Sequence, residues 1–496
     1  MSLLPPKARN IISSYGRQLV SAVVGLMATR LLIRKLGLDT YGGVYFLLQL
    51  GALVDIFGNT LTGATARFTT QTVAQGETQK ASGYLSNTLV SLLGFGLVAL
   101  IVFNTFAYFS ASPVQNIPLA LLNLVVIALV MTSMSNALAV GNFLREEFVS
   151  RAGVQIAANL LYLGVLFGML MFSDFGVWAV GWANLASATL ALVAFYYLCR
   201  KLAPELKLSL RLISWSQILE LGKFVGWMLL TYCAIYITRS GTLMAVQRFG
   251  TPAELGRFAL FFQVSLLVLT ALQTFSLVTA PAIYRCLAIG NNTEATAHLE
   301  SFLFETTLFG SFAVLGLWLE GENILQLWLG AAAPHGMSVL LASAGLLAIT
   351  MGWSTGLSVY LAGYGHVRNY GIVAVSVSLA VVGAAFYLMA TGRNSMTQCV
   401  IPLIVGEIGK CLLITQVIDR PAFAFSRLGR YFKKSAVILG LIAVAALLWW
   451  CLHKMASPNN WPVVVLRSVV FALPLAGYFL SLAKSKPIRS TRGKAT

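Results

Sequence analysis

Apolar residues run through this chain in stretches of about twenty, separated by short polar gaps that hold most of the charges. About 20 apolar residues cross the hydrocarbon core of a bilayer as a helix, and a helix satisfies all its own backbone polar groups there. The pattern predicts fourteen spans: 11–33, 41–63, 84–109, 118–141, 154–172, 176–199, 222–247, 256–282, 299–319, 336–362, 369–391, 397–418, 435–453 and 462–483. An even count puts both termini on one side. With Lys223 and Arg257, at the first residues of their spans, counted with the adjoining loops, 23 of the 34 Lys and Arg residues fall on the side of the termini, six on the other side and five within spans. By the positive-inside rule both ends are expected in the cytoplasm, with the chain multi-pass in the inner membrane. The expected fold class is all-α and polytopic.

Composition narrows the function classes. Hydrophobic residues make up 58% of the 496 and charged ones only 10%, against about 25% charged in a soluble domain. The net charge of +18 comes from the gaps between spans and not from one basic face, so a nucleic-acid partner is excluded and membrane lipids are the expected surroundings. The six cysteines have no CxxC spacing and the four histidines are scattered. No P-loop, Rossmann fingerprint or HExxH occurs, so neither cofactor nor metal is expected. The longest outer loop, Glu320 to His335, has about 16 residues and leaves no room for a catalytic domain, so an enzyme is not expected. Two longer inner connections, 200–221 and 420–434, alternate apolar and polar residues and predict interfacial helices.

An internal repeat organises the spans. Residues 42–66 laid over 256–280 match without a gap at Gly42/Gly256, Gln49/Gln263, Leu53/Leu267, Val54/Val268, Thr60/Thr274, Thr65/Thr279 and Ala66/Ala280. Span 2 therefore pairs with span 8. The expected division is a six-helix bundle over 1–200, a second over 201–418, and two additional spans with a basic tail over 419–496. Two such halves are the usual plan of a secondary transporter working by alternating access.

The stretch Arg34-Lys35-Leu36-Gly37-Leu38-Asp39-Thr40-Tyr41-Gly42, followed by Val44-Tyr45-Phe46, Arg67 and Ala74-Gln75-Gly76-Glu77, resembles the polysaccharide transporter branch of the multidrug/oligosaccharidyl-lipid/polysaccharide flippase superfamily. Its echo runs from Gly250 to Gly256 and from Ala280 to Arg285. Wzx-type O-antigen flippases are the most similar in span count and termini. The resemblance implies a V-shaped pair of bundles around a cationic cavity, and a lipid-linked oligosaccharide of the undecaprenyl-pyrophosphate type as substrate. It also implies work alongside other polysaccharide assembly proteins. A lipid II or multidrug exporter of the same superfamily is the alternative.

Ionisable residues inside spans are the candidate site, because a charge left in lipid costs several kcal/mol. Arg239 heads the set: Tyr232, Tyr236 and Arg239 share one helical face, and a guanidinium binds phosphate oxygens in pairs at any cellular pH. Arg17 and Arg30 on span 1 are further substrate-binding candidates, set against anchoring or snorkelling at the interface. Asp55 with Asn59 at i+4 gives span 2 a narrow polar face. The repeat puts Leu269 at the Asp55 position, so the carboxylate is either a coupling site or a structural partner of an arginine, Arg239 among them. Arg67 and Arg285 lie where a headgroup would enter the cytoplasmic mouth, although topology alone would also put them there. Glu407 and Lys410 at i,i+3 predict a pair on their own helix, and Arg467 is expected to reach the interface.

Overall fold

The computed structural model describes residues 6–109, 118–145, 147–288, 290–363, 367–391, 397–417, 428–455, 462–464, 466–468 and 470–475. Up to Met455 the described residues form, in order, α1 (Pro6–Leu36), α2 (Leu38–Ala74), α3 (Thr78–Phe109), α4 (Leu119–Leu138), α5 (Val140–Leu144), α6 (Phe148–Phe172), α7 (Trp178–Leu202), α8 (Trp215–Phe249), α9 (Pro252–Ala288), α10 (Asn292–Leu329), α11 (Ser338–Gly363), α12 (Val367–Ala390), α13 (Thr397–Val417) and α14 (Leu428–Met455). No strand occurs among the described residues. Ten of the helices there are long and apolar enough to cross a membrane. α1 and α13 are not among those ten, and both carry buried or half-buried charges. The fourteenth expected span falls on the helical residues within 462–475, and its remainder, 476–483, lies outside the described residues.

Large apolar side chains stay exposed along α3 (Leu97 62%, Ile101 65%) and α14 (Leu439 67%, Leu447 60%). In water such patches would drive association; in a bilayer they meet acyl chains. With 37 residues each, α2 and α9 are about 55 Å long, well beyond the roughly 30 Å hydrocarbon core. Both therefore continue past the membrane.

Contacts concentrate in two compact units, one of Met1–Leu260 with Gly365–Gly406, the other of Phe261–Tyr364 with Glu407–Thr496. In the first, α4, α6 and α7 pack together, α1 lies along α6, and α8 lies along α2 and α12. Its core includes Leu61, Tyr84, Leu85, Leu138, Phe195 and Leu221. α2 and α9 meet at the repeat-related glycines: a Cβ on Gly42 would come within 2.5 Å of Gly256 N. Only glycine lets two backbones approach that closely.

The repeat extends into local geometry. Adding 214 to the bounds of α2 gives those of α9, and adding it to the start of α3 gives the start of α10. Gly76 (φ +81°) and Gly290 (φ +74°) hold the same left-handed position after those helices. Glu77 N donates to Thr72 O and Asn291 N to Cys286 O, both at 2.9 Å, and Gly76 N to Val73 O and Gly290 N to Leu287 O, at 3.0 and 3.1 Å. It is one turn, used twice.

Three expectations need correction. The 200–221 connection has no helix of its own: between α7 and α8 only a 3-10 turn at Leu210–Leu212 is present, and 215–221 form the start of α8. The segment is instead a strap held along α3, with Lys207 N donating to Ser82 Oγ (3.0 Å), Ser209 N to Ser86 Oγ (3.3 Å) and Ser214 N to Asn87 Oδ1 (3.0 Å). Alternation of polarity cannot distinguish an amphipathic helix from an extended strap whose amides find side-chain acceptors. In the second inner connection, residues 418–427 lie outside the described residues and α14 starts at Leu428. The outer loop read as 320–335 is also shorter, because α10 runs on to Leu329.

Arg467 does not reach the interface. It is 1% exposed and its Nη1 lies 3.4 Å from Glu320 Oε1. Trp449 Nε1 donates to the same oxygen at 2.7 Å, and Asn323 Nδ2 donates to Glu320 Oε2 at 2.8 Å. The second unit is thus tied from α10 to α14 and to the last helical residues through one buried carboxylate. Phe312 and Phe471 pack edge to face alongside it. Glu407 and Lys410 pair at 2.6 Å on α13, as their spacing predicts.

Candidate anion-binding site

Three polar residues, Arg151, Gln155 and Asn159, stand at i, i+4 and i+8 on the largely apolar α6 and so share one face. α1 lies against that face and presents Arg17 and Ser21, again one turn apart. Asn159 Nδ2 donates to Ser21 Oγ and Arg17 Nη1 donates to Gln155 Oε1, both at 2.7 Å. The Arg151 guanidinium sits over the Phe143 ring, 4.5 Å from its centroid. Its Nε is buried with no hydrogen-bond partner among the described residues.

Arg17, Arg151 and Gln155, with Phe148 and Ala152, line a cavity of about 20 Å³, room for one water. The two guanidinia are close enough for each to feel the charge of the other. Their only hydrogen-bonding neighbour shown there is a neutral amide. Two cations facing one cavity without a carboxylate among the described residues make a site whose electrostatics favour an anion. Arginine forks suit the paired oxygens of a phosphate.

The apolar pattern singles out Arg17 as a candidate, whereas Arg151, Gln155 and Asn159, which the structure places on the facing helix, are not among the sequence candidates. Arg151 falls at the edge of the apolar run, where the positive-inside pattern accounts for it. The i, i+4, i+8 spacing of the three was the signal that would have found them.

The remaining candidates are spread over α1, α2 and α8. Arg239 is half-buried on α8, within electrostatic reach of the Tyr45 hydroxyl on α2. Beside it Ser240 Oγ donates to Gln49 O (3.2 Å) and Tyr236 OH donates to Leu50 O (3.1 Å). The Tyr236 hydroxyl thus ties α8 to α2, while Tyr232 is 41% exposed. Asp55 is half-buried and hydrogen-bonds Asn59, which is itself exposed. No ion pair joins Asp55 to Arg239 among the described residues. The repeat-related Leu269 sits in an apolar cluster with Leu272 and Ala348, so the two halves treat this position differently. Arg30 is half-buried and Arg67 exposed; the side chain of Arg285 lies outside the described residues. Arg17 and Arg151 meet in one cavity; Arg30, Asp55 and Arg67 do not line it.

Residues 31–330, more than half of the chain, match the family described as "Polysaccharide biosynthesis protein". The uncharacterized membrane protein EpsK of Bacillus subtilis (strain 168) is 23% identical over 496 residues, covering 95% of this chain and 94% of that protein. Among solved structures, the lipid II flippase MurJ in an inward closed conformation matches with a TM-score of 0.71 at 13% identity, over 95% of this chain and 100% of the other. An inward-facing multidrug resistance MATE family transporter of the MOP superfamily matches with a TM-score of 0.61 at 14% identity, over 81% of this chain and 97% of the other. At such identities these structures share the fold. The matched region takes in Asp55, Arg151, Gln155 and Arg239, and the chain belongs to the polysaccharide biosynthesis protein family.

Proposed function

We propose that this protein is a flippase that carries a polyprenyl-diphosphate-linked oligosaccharide across the inner membrane, by alternating access, for surface polysaccharide assembly. The observation that carries the proposal is the Arg17–Arg151 cavity, where two guanidinia line one space and the Gln155 amide accepts from Arg17. A diphosphate headgroup supplies the two negative charges that such a pair lacks. Family membership supports the pathway, and fold kinship with the lipid II flippase MurJ supports the type of cargo. At about 20 Å³ the cavity is too small for a diphosphate, so binding requires α1 and α6 to part. In this scheme Arg239, Arg30, Asn59, Tyr232 and Tyr236 contact the headgroup or first sugars, Arg67 and Arg285 guide entry, and Asp55 couples transport to a cation. The membrane arrangement that goes with it has fourteen spans, two six-helix halves, two added helices and both ends in the cytoplasm.

Binding to purified protein tests the proposal. Arg17→Gln and Arg151→Gln should each weaken affinity for a polyprenyl-diphosphate glycan by roughly ten- to hundredfold, the loss of charge-assisted hydrogen bonds of about 1.5–3 kcal/mol. Unchanged affinity in both variants would remove this seam from substrate binding. One observation favours a second reading, export of cationic drugs: Asp55 is a half-buried carboxylate without an ion pair among the described residues. Competition by a lipophilic cation that depends on Asp55, with no competition by the glycolipid, would select it.

A further inference from the structure

We propose a zinc-binding site at the α9–α10 turn, made by Cys286, Glu294 and His298. The Cys286 Sγ, one Glu294 carboxylate oxygen and one His298 imidazole nitrogen all lie within 4.8 Å of one another. Glu294 and His298 are one turn apart on α10, so they project from the same face. Cys286 reaches them from the last turns of α9. Zinc held by sulfur, nitrogen and oxygen at about 2.0–2.3 Å needs ligand atoms about 3.5 Å apart, which small rotations of exposed Glu294 and half-buried His298 supply.

The donors select the metal class. A thiolate, an imidazole and a carboxylate together suit zinc; magnesium and calcium prefer oxygen alone. Three protein ligands leave the fourth position to water. The surroundings support the ligands in the usual way: Asn291 Nδ2 donates to Glu294 Oε2 at 2.8 Å and orients the carboxylate, while Asn291 N donates to Cys286 O at 2.9 Å and fixes the span between the two helices.

The repeat adds an independent argument. The equivalent turn after α2 has the same hydrogen bonds, and its residues at the offset of 214 are Thr72, Lys80 and Tyr84. Three positions of one turn carry ligand types in one copy, and none of the three is a thiol, imidazole or carboxylate in the other. The fold therefore does not need them. Bound zinc would staple α9 to α10, directly beside Arg285, and binding would release the thiol proton to solvent. The proposal is independent of the nature of the cargo.

Full-length protein in detergent, stripped with a chelator and titrated with Zn²⁺, tests it. One equivalent should bind and raise the thermal midpoint, and magnesium should do neither. Cobalt in place of zinc should give a thiolate-to-metal charge-transfer band that Cys286→Ser abolishes. His298→Ala and Glu294→Gln should each weaken zinc binding at least tenfold, and these two decide the question if Cys286→Ser does not fold. Absence of stoichiometric binding, or binding and cobalt spectra unchanged by all the variants that fold, overturns the site.

Discussion

At the scale of single residues, buried and half-buried charges divide into those that face an opposite charge and those that do not. Glu407 and Lys410 neutralise one another on α13, and Arg467 is neutralised by Glu320. Arg17 and Arg151 have Gln155 and the Phe143 ring instead. The two kinds should respond differently to substitution. Arg151→Lys keeps the charge but not the planar fork, so it should fold normally and retain only part of the transport, whereas Arg151→Gln should lose nearly all of it; equal activity in both variants would contradict a bidentate role. Glu320→Ala should destabilise by about 3–5 kcal/mol because it removes the carboxylate paired with buried Arg467, while Glu320→Leu with Arg467→Leu should recover most of that loss. Thermal unfolding in detergent checks both. Arg17 was legible in the sequence because it interrupts an apolar run. Arg151 was not, since a basic residue at a span edge fits topology equally well. The burial of Arg467 was hidden for a similar reason: its partner Glu320 was assigned to a loop that is in fact helix.

At the scale of helices and turns, the repeat was the most legible feature, and its consequences run further than the identities that disclosed it. A strict 214-residue offset in helix bounds and turn hydrogen bonds means both copies face the same steric demands. Gly42 and Gly256 bring α2 and α9 into backbone contact. Gly42→Val should therefore cost at least the 1–3 kcal/mol typical of overpacking, seen as lower yield and a lower thermal midpoint. A neutral Gly42→Val would mean that the helices do not cross there. The strap over 203–214 was not legible, because its order depends on acceptors supplied from α3. Ser82, Ser86 and Asn87 receive its backbone amides, and nothing within the strap announces that. The trio Cys286, Glu294 and His298 escaped for the same reason, being ligands only once the turn brings two helices together.

At the scale of the whole molecule, composition and the spacing of apolar runs established a polytopic helical protein, and the family and fold agree with that. The proposed sidedness, with both ends in the cytoplasm, rests on where the 34 basic residues fall. Single cysteines introduced at Ala333 and Thr496, in a protein otherwise lacking cysteine, should react with a membrane-impermeant maleimide from outside at Ala333 alone; labelling of position 496 in intact cells would invert the topology. The proposed substrate chemistry is open to test by reconstitution. Purified protein in proteoliposomes should carry a fluorescent polyprenyl-diphosphate oligosaccharide from one leaflet to the other, read as label becoming accessible to an impermeant quencher. The wild type should flip it, Arg17→Gln and Arg151→Gln should each lose at least tenfold, and the unlabelled glycolipid should inhibit. Flipping that is absent in the wild type, or undiminished in both variants, would contradict that chemistry.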